Sequence, residues 1–246
     1  MRLLSQIGTY LILMMRTFSR PERITVLYRQ TLKEIEKEGI NSFPIVVIIS
    51  LFVGAVITIQ TNFNIENPLL PTYLVGVTVR DSLMLEFSST MVALILAGKV
   101  GSSIASELGM MRITEQIDAL EVMGVNSASF LILPRIVAAV FFFPVLCLLS
   151  IMVGLIGGYL SCILANVMPP ADYIEGIQYA FNSNYISYAM IKTAFYAAII
   201  TSVSSYFGYN VKGGAVEVGK ASTKAVVQSS VLILLANLIL TKTILQ

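Results

Sequence analysis

The residues best placed to make functional contacts lie in a charged segment between positions 107 and 124. It holds five charged side chains, at Glu107, Arg112, Glu115, Asp118 and Glu121. Its apolar side chains recur three and four residues apart, as in Ile113, Ile117 and Leu120, which predicts one amphipathic helix. Gly124 is well placed to end that helix. A short charged helix between two long apolar segments is suited to contacting a partner; a solvated connecting loop is the alternative.

Catalytic and metal chemistry find little support in the sequence. The chain has no His, and Cys147 and Cys162 both lie inside one apolar run. His-dependent nucleophilic catalysis is therefore excluded, and a His- or Cys-based metal site is disfavoured. Gly214 to Ala221 has the G-x-x-x-x-G-K spacing of a phosphate-binding loop, but Ala221 stands where the magnesium-binding Ser or Thr would be. We expect no cofactor in this chain and no ATP hydrolysis by it.

Composition determines what must carry the charged segment. Of the 246 residues, 56% are hydrophobic and 12% are charged, whereas soluble domains average about 25% charged residues. Five runs are long enough to cross a hydrocarbon layer of about 30 Å, at residues 43–60, 83–105, 137–165, 188–209 and 226–245. The runs are too long and continuous for barrel strands. We predict an all-α integral membrane protein with five transmembrane helices and a water-side helix between the second and third spans.

Residues 1–40 precede this five-span domain, which we place at 41–246. Apolar residues from Leu3 to Phe18 repeat at helical spacing, which predicts an amphipathic helix lying in the membrane interface, followed by a polar link. A signal peptide is the competing interpretation. It is disfavoured because no small-residue cleavage site follows, and Arg16, Arg20 and Arg23 occur instead.

The distribution of Lys and Arg predicts the orientation. Basic residues concentrate before the first span, in the charged segment and after the fourth span, the last group being Lys212, Lys220 and Lys224. By contrast, the connection around 168–187 has no basic residue and holds Asp172 and Glu175. The positive-inside rule therefore places the N-terminus and the charged helix in the cytoplasm and the C-terminus outside.

Two charges flank the apolar part of the second span. Glu86 and Lys99 are thirteen residues apart, which is about 20 Å along a helix, so they cannot pair within it. An ionisable group facing lipid is costly, so each lies near an interface or faces a wet cavity. Glu86 is a candidate contact for a lipid headgroup; an interfacial side chain that merely reaches water is the alternative.

The run from Leu94 to Val125, LILAGKVGSSIASELGMMRITEQIDALEVMGV, resembles the signature of the MlaE (YrbE) family of ABC-transporter permeases. The stretch from Gly208 to Val227, together with Gly54 and Gln60 of the first span, is similar to the same family. The likeness covers nearly the whole chain. It implies a permease that moves phospholipid between the bacterial inner membrane and a periplasmic carrier, and that maintains outer-membrane lipid asymmetry.

The resemblance also implies partners. Such permeases form homodimers, pair with two cytoplasmic ATPase subunits that bind ATP and magnesium, and bind a periplasmic ring of MCE-domain proteins; no nucleic acid is expected. The segment from 107 to 124 would be the coupling helix, seated in a groove on the ATPase. We predict that Ile113, Ile117 and Leu120 enter that groove and that Glu115, Asp118 or Glu121 contacts basic residues at its rim. The alternative function is a secondary transporter of a hydrophobic solute, which would be expected to show inverted repeats and several midplane charges.

In the family the lipid cavity lies at the dimer interface. The resemblance and helical spacing predict that this chain lines it with residues of spans one, two and five, namely Val53, Ile57, Gln60, Glu86, Phe87, Val231, Leu235 and Leu238. Three positions depart from the family pattern: Leu85 and Lys99 stand where Arg is usual, and Asn237 stands where Asp is common. An Arg-to-Lys change loses bidentate geometry toward a phosphate-type group.

Overall fold

The computed structural model describes residues 2–19, 24–65 and 71–245, and the regular structure within these ranges is helical. The α-helices are α1 (Arg2–Phe18), α2 (Ile24–Glu34), α3 (Phe43–Asn64), α4 (Tyr73–Ser82), α5 (Ser88–Leu96), α6 (Ser102–Ile113), α7 (Gln116–Val122), α8 (Ser127–Leu164), α9 (Pro170–Gln178), α10 (Asn184–Tyr209) and α11 (Ala215–Leu245). The predicted all-helical class is confirmed.

Five continuous helical stretches in the described residues are long and apolar enough to cross a membrane, as predicted. They are Ile24–Asn64, Tyr73–Ile113, Ser127–Leu164, Asn184–Tyr209 and Ala215–Thr243. Each of the first, second, third and fifth extends by several residues beyond the predicted apolar run, because a helix does not end where its sequence becomes polar. The predicted polar link before residue 43 is thus part of the first long helix.

Short π-helical turns interrupt the α-helical hydrogen bonding of the first two long helices. One joins α2 to the start of the first span, at Ile35–Gly39, followed by a 3₁₀ turn at Ile40–Ser42. The second long helix has two, at Leu83–Phe87 and Ala97–Gly101. Such turns occur often at functional sites, and Glu86 and Lys99 lie in the latter two.

The chain forms two compact units, the second of which comprises Phe43–Val92 and Pro144–Thr193. In it, glycines bring helix backbones close together. A Cβ on Gly54 would overlap the backbone carbonyl of Gly154, and a Cβ on Gly157 would overlap the backbone carbonyl of Leu51. Helices α3 and α8 can therefore pack at this distance only because these two glycines have no side chains. Gly76 and Gly176 do the same for α4 and α9.

The buried centre of this second unit joins α3, α4, α8 and α9. It is apolar apart from one phenol, and its buried members are Ile57, Val75, Val79, Leu83, Cys162, Met168 and Tyr173. The Tyr173 hydroxyl donates to the carbonyl of Leu155 at 3.2 Å. Burial raises the pKa of Tyr173 to about 12, so it remains a neutral donor at all ordinary pH values.

The first unit comprises Met1–Ser42, Ala93–Phe143 and Ala194–Gln246. In it, α6 packs along α11. A Cβ on Gly109 of α6 would lie 3.0 Å from Val218, and one on Gly208 of α10 would lie 2.6 Å from the carbonyl oxygen of Ala105. Small residues therefore set the spacing of these helices too.

Helix α1 belongs to this first unit, and its exposed face is the apolar one. Its inner face holds Leu13 and Thr17, which are 6% and 0% exposed, and Tyr10, whose hydroxyl donates to Ser202 at 2.9 Å. Its outer face is apolar, with Ile7, Leu11, Ile12, Met15 and Phe18 all more than half exposed. An exposed apolar row of this kind suits the predicted interfacial position, which remains a prediction.

Candidate functional site

The charged segment is not one helix from 107 to 124, as predicted, but two. Helix α6 ends at Ile113, and Glu115 adopts a left-handed conformation with φ of 60° before α7 begins at Gln116. This conformation is uncommon for a residue other than glycine. The predicted boundaries are therefore corrected: Glu107, Arg112 and Ile113 belong to the long second helix, and α7 alone forms the separate short helix.

The predicted end of the segment at Gly124 is confirmed. Gly124 has φ of +80°, its N–H donates to the carbonyl of Glu121 at 3.0 Å, and the N–H of Val125 donates to that of Leu120 at 3.1 Å. This pair of bonds is the Schellman motif, which satisfies the last carbonyls of a helix. The short helix is thereby firmly terminated.

The apolar stripe of the segment faces inward. Ile117 is 0% exposed, and Ile113 packs against the cluster of Val211, Val218 and Ala221. The prediction that Ile113, Ile117 and Leu120 seat the helix in an ATPase groove is corrected for Ile117, which is already buried in its own chain. The most exposed large apolar side chains here are Val122 and Met123, at 89% and 68% exposure.

Glu121 fixes α7 to three other helices, α1, α8 and α10. Its carboxylate accepts hydrogen bonds from Ser127 at 2.8 Å and Tyr209 at 3.0 Å, and pairs with Arg16 of α1 at 2.9 Å. The Ser127 hydrogen bond, with Tyr209 and Arg16, holds the pKa of Glu121 below its ordinary value, although partial burial opposes this. Glu121 therefore stays ionised and is not a free rim carboxylate.

Asn126 strengthens the same junction from the other side of Gly124. Its side-chain amide donates to the carbonyls of Arg16 and Ser19, both at 2.9 Å. These carbonyls lie at the C-terminal end of α1, where no intrahelical donor is available. Helix α1 and the segment around α7 are thus held together by both an ion pair and a capping side chain.

Glu107 belongs to an ion network in the first unit that is centred on the buried side chain of Arg135. Its carboxylate pairs with Lys37 and, at 3.0 Å, with Arg135 of α8. The Arg135 side chain is 4% exposed and also lies 3.5 Å from Glu34. Glu38, which accepts a hydrogen bond from Ser103 at 2.8 Å, lines the same small cavity as Arg135 and Glu34.

The remaining predicted contact residues are more exposed. Arg112 pairs with Asp118 at 2.6 Å, with side chains 34% and 51% exposed, and its guanidinium lies over the ring of Tyr209. Glu115 and Asp118 are exposed. These two carboxylates and the nearby Val122 and Met123 form the outer surface of the segment.

In the second unit, Glu86 pairs with a lysine that sequence reasoning missed. Lys192 of α10 is 0% exposed, lies 2.8 Å from a Glu86 oxygen, and donates to the carbonyl of Leu85 at 3.2 Å. Its ammonium lies 4.9 Å from the centre of the Tyr188 ring. The signal was available, because a single Lys inside an apolar span requires a partner. Lys99, by contrast, donates to the backbone carbonyl of Asn41.

The eight predicted lipid-cavity residues differ in exposure. In the second unit, Ile57 is 8% exposed and Val53 packs against the same core, whereas Gln60 and Phe87 are exposed and Glu86 is partly so. On α11, Val231, Leu235 and Leu238 are 50%, 54% and 73% exposed. Ile57 is thus part of the protomer's own core, whereas Gln60, Phe87 and the α11 row are accessible.

Asn237 also lies on α11, and its side-chain oxygen accepts a hydrogen bond from Tyr196 at 2.8 Å. The glycine-rich stretch that imitates a phosphate-binding loop lies between the end of α10 and the start of α11. It therefore follows a helix and not the strand that such a loop requires. Within the described ranges, no group of three or more His, Cys, Asp or Glu is placed to hold a metal ion.

Five helices long and apolar enough to cross a membrane make this chain a multi-pass membrane protein. Its sequence matches the family model described as Permease MlaE over residues 31–243. The chain belongs to the MlaE family of ABC-transporter permeases. It is accordingly a membrane subunit of an ABC transporter, in the bacterial inner membrane, and such permeases are not the subunits that hydrolyse ATP.

Three relatives illustrate the breadth of the similarity. A probable ABC transporter permease of Rickettsia bellii is 33% identical over 98% of this chain and 93% of its own. The intermembrane phospholipid transport system permease protein MlaE of Haemophilus influenzae is 31% identical over 85% of this chain and 80% of its own. The chloroplastic protein TRIGALACTOSYLDIACYLGLYCEROL 1 of Arabidopsis thaliana is 32% identical over 87% of this chain and 61% of its own.

Proposed function

We propose that this chain is the permease of a phospholipid transporter that exchanges lipid between the inner membrane and a periplasmic MCE-protein carrier, and so maintains outer-membrane lipid asymmetry. It acts as a homodimer, with two cytoplasmic ATPase subunits supplying ATP hydrolysis. Family membership supports the transporter class, and the Haemophilus influenzae relative, whose name specifies phospholipid transport, supports the cargo.

The observation that carries the proposal is the unburied face of α11. In the most apolar stretch of this helix, only 17% of the residues are buried within the protomer. The corresponding share for α8 is 50%. Val231, Leu235 and Leu238 follow one another along that face and are all at least half exposed. A second protomer and the acyl chains of a lipid are the apolar partners that such a face requires.

Photo-crosslinking in cells tests the cargo. A crosslinking residue at Leu235 should capture phospholipid, and capture should change when the ATPase is inactivated, because cargo leaves the cavity only when the transporter turns over. Val145 of α8 has a closely matched exposure, 52% against 54%, and serves as the control for general bilayer contact. Capture at Leu235 that matches capture at Val145 and ignores ATPase activity would argue against a cargo site on α11.

Helix α7 is the proposed coupling element. Its buried stripe, its Schellman terminus and the bonds of Glu121 fix it to the permease, while Val122 and Met123 project outward beside Glu115 and Asp118. Rigid attachment on one side and an apolar contact rimmed by carboxylates on the other suit a helix that transmits motion from an ATPase.

Copurification tests this coupling role. Val122→Gln should reduce the amount of ATPase that copurifies with the permease and should lower transport. Leu164→Gln is the matched control, because Leu164 is 79% exposed at the far end of α8. Retention of the ATPase by the Val122 variant at the level of the control would remove α7 from the coupling interface.

Cysteine labelling tests the proposed orientation. Ser127 is fully buried and unsuitable as a probe, whereas Thr114 and Gln178 are exposed. In spheroplasts, an impermeant thiol reagent should label Gln178→Cys and spare Thr114→Cys, because the positive-inside rule places the charged segment in the cytoplasm. Labelling of Thr114→Cys from outside would reverse the topology.

A further inference from the structure

A basic cleft lies in the first unit, at the junction of α1, α10 and α11. It is open to solvent and has a volume of about 220 Å³, with Gln6, Tyr206, Asn210, Lys212, Glu217, Lys220 and Lys224 among its lining residues. Its floor is apolar, since Val211 and Ala221 are 7% and 9% exposed. A polar rim above an apolar floor is the profile of a site for an amphipathic ligand.

The charges of the cleft favour an anion. Three lysines line it together with a single carboxylate, that of Glu217. Lys220 pairs with Glu217 at 2.7 Å, so Lys212 and Lys224 supply the net positive charge. Both side chains are exposed, and within the described ranges no ion pair of 4 Å or less engages either of them.

The surface below the cleft is suited to acyl chains. Lys220 and Lys224 also line a second hollow along α11, with Thr223, Val227 and Gln228. The exposed row continues one turn at a time to Val231 and Leu235. Along one face of one helix, the exposed side chains thus change from cationic to polar to apolar, the same order as in a membrane from headgroup to hydrocarbon.

Helix α1 indicates the depth of the cleft in the bilayer. Gln6 of α1 lines the cleft, and the neighbouring Ile7 and Leu11 are 57% and 54% exposed. An amphipathic helix with such a face lies at the boundary between headgroups and acyl chains. With α1 in its predicted interfacial position, a cleft beside it would be at the level of lipid phosphates.

We propose that this cleft binds the headgroup of an anionic phospholipid, with Lys212 and Lys224 contacting its phosphate and the α11 face from Val227 onward contacting its acyl chains. By the positive-inside rule this lipid belongs to the cytoplasmic leaflet. The headgroup position, at the junction of α1, α10 and α11, is cationic and lies about three helical turns before Leu235 on α11. It therefore differs from the apolar cargo face around Leu235 and Leu238, although the acyl chains of the bound lipid extend toward that face. A soluble phosphate ligand has no acyl chains to place against the apolar face, so a membrane lipid is favoured.

Lipid titration of the detergent-purified full-length permease, followed by native mass spectrometry, tests the proposal. Phosphatidylglycerol should bind more tightly than zwitterionic phosphatidylcholine. Lys212→Gln with Lys224→Gln should weaken phosphatidylglycerol binding about 25-fold, from about 5-fold per lysine near an anionic lipid surface. The matched control, Lys33→Gln with Lys242→Gln, removes two exposed lysines elsewhere and should leave binding within about 2-fold, because each lies away from the cleft.

Two further measurements make the outcome decisive. Inorganic phosphate should fail to displace phosphatidylglycerol; displacement by phosphate alone would identify a soluble phosphate ligand and overturn the lipid assignment. A photo-crosslinking residue at Asn210, in vesicles that contain both lipids, should capture phosphatidylglycerol preferentially, and the double lysine variant should abolish the preference. Equal weakening in the two double variants, or equal capture of both lipids, would refute the site, whatever the transport assays show.

Discussion

Two buried cations, Lys192 in the second unit and Arg135 in the first, show different ways of placing a charge inside apolar helices. Lys192 pairs with the carboxylate of Glu86, donates to a backbone carbonyl and lies near an aromatic ring. Arg135 lies beside Glu34, Glu38 and Glu107, and its Nε and Nη1 atoms make no protein hydrogen bond. The first arrangement is neutral and well satisfied, whereas the second has excess negative charge and spare donors.

The difference indicates different roles. A neutral pair with satisfied donors has one favourable arrangement and holds α10 against the π-helical turn that contains Glu86. A cluster with three carboxylates around Arg135, and with two guanidinium nitrogens that make no protein hydrogen bond, is less fully satisfied. Glu107 lies on α6, two turns before the break that precedes α7. A movement of the coupling segment would therefore displace one member of the Arg135 cluster.

Removal of Glu86 should have the largest effect on stability. Glu86→Ala leaves Lys192 charged, fully buried and without its carboxylate, which costs about 3 kcal/mol. Lys192→Met should cost less, because the Glu86 side chain is 38% exposed and can turn to water. Thermal unfolding of the purified variants, with Glu86→Gln/Lys192→Met as the neutral double variant, measures both. Equal losses in the two single variants would contradict the asymmetry.

Removal of Arg135 should have an intermediate effect. Arg135→Gln leaves Glu34 and Glu38 to repel each other, while Glu107 keeps Lys37, so we expect a loss of about 2 kcal/mol. Adding Glu34→Gln should restore part of it, since one repelling charge is gone. The same thermal measurement applies, and the rescue should be less complete than in the Glu86–Lys192 double variant. A complete rescue would mean that the cluster behaves as a simple pair.

Acid should loosen the junction at Glu121. Because the pKa of Glu121 is lowered in the folded protein from its ordinary value of 4.5, its stabilisation is present above that value and is lost as the pH falls through the folded pKa. Spin labels at Ile12 and Val122 should report a lengthening distance in acid.

Two variants serve as controls for this pH effect. Glu121→Gln should remove the acid dependence, since no carboxyl remains to be protonated. Ser127→Ala, which deletes the strongest hydrogen bond, should move the transition to higher pH. An unchanged acid transition in Glu121→Gln would assign it to another group.

Breaking the exposed pair of Arg112 and Asp118 should have the smallest effect on stability. Asp118→Asn should change the free energy of unfolding by less than about 0.5 kcal/mol, because ion pairs at the surface are screened and their side chains lose entropy on pairing. Chemical denaturation of the purified variant is the measurement. A loss as large as that of Arg135→Gln would show that Asp118 is buried in the assembled protein.

The general architecture could be predicted from sequence because the bilayer imposes it. Uninterrupted apolar runs must be helices in lipid, and a glycine after the last apolar repeat ends a helix, so the five long helices and the role of Gly124 were predictable. What covers Ile117 could not be predicted. An amphipathic stripe indicates that one side is covered, but the same pattern results whether the cover is another part of the chain or a separate subunit.

That Lys192 needs a partner could be predicted from the sequence, but the identity of that partner could not. The pairing of Glu86 with Lys192 depends on which faces of two helices meet, and this in turn depends on the extra residue accommodated by the π-helical turn. The break at Glu115 had no preceding signal, since neither a proline nor a glycine marks it. Local propensity is a weak guide where tertiary contacts determine the backbone.

The three π-helical turns have a consequence for how this sequence is aligned and altered. Each accommodates one residue more than an α-helix would, which rotates everything that follows by about 100°. The side chains on the two sides of Leu83–Phe87 are therefore out of phase, and a helical wheel drawn across the turn assigns half of them to the wrong face. Deleting one residue there would leave the hydropathy of the span almost unchanged, yet it would turn a whole stretch of helix to face different neighbours.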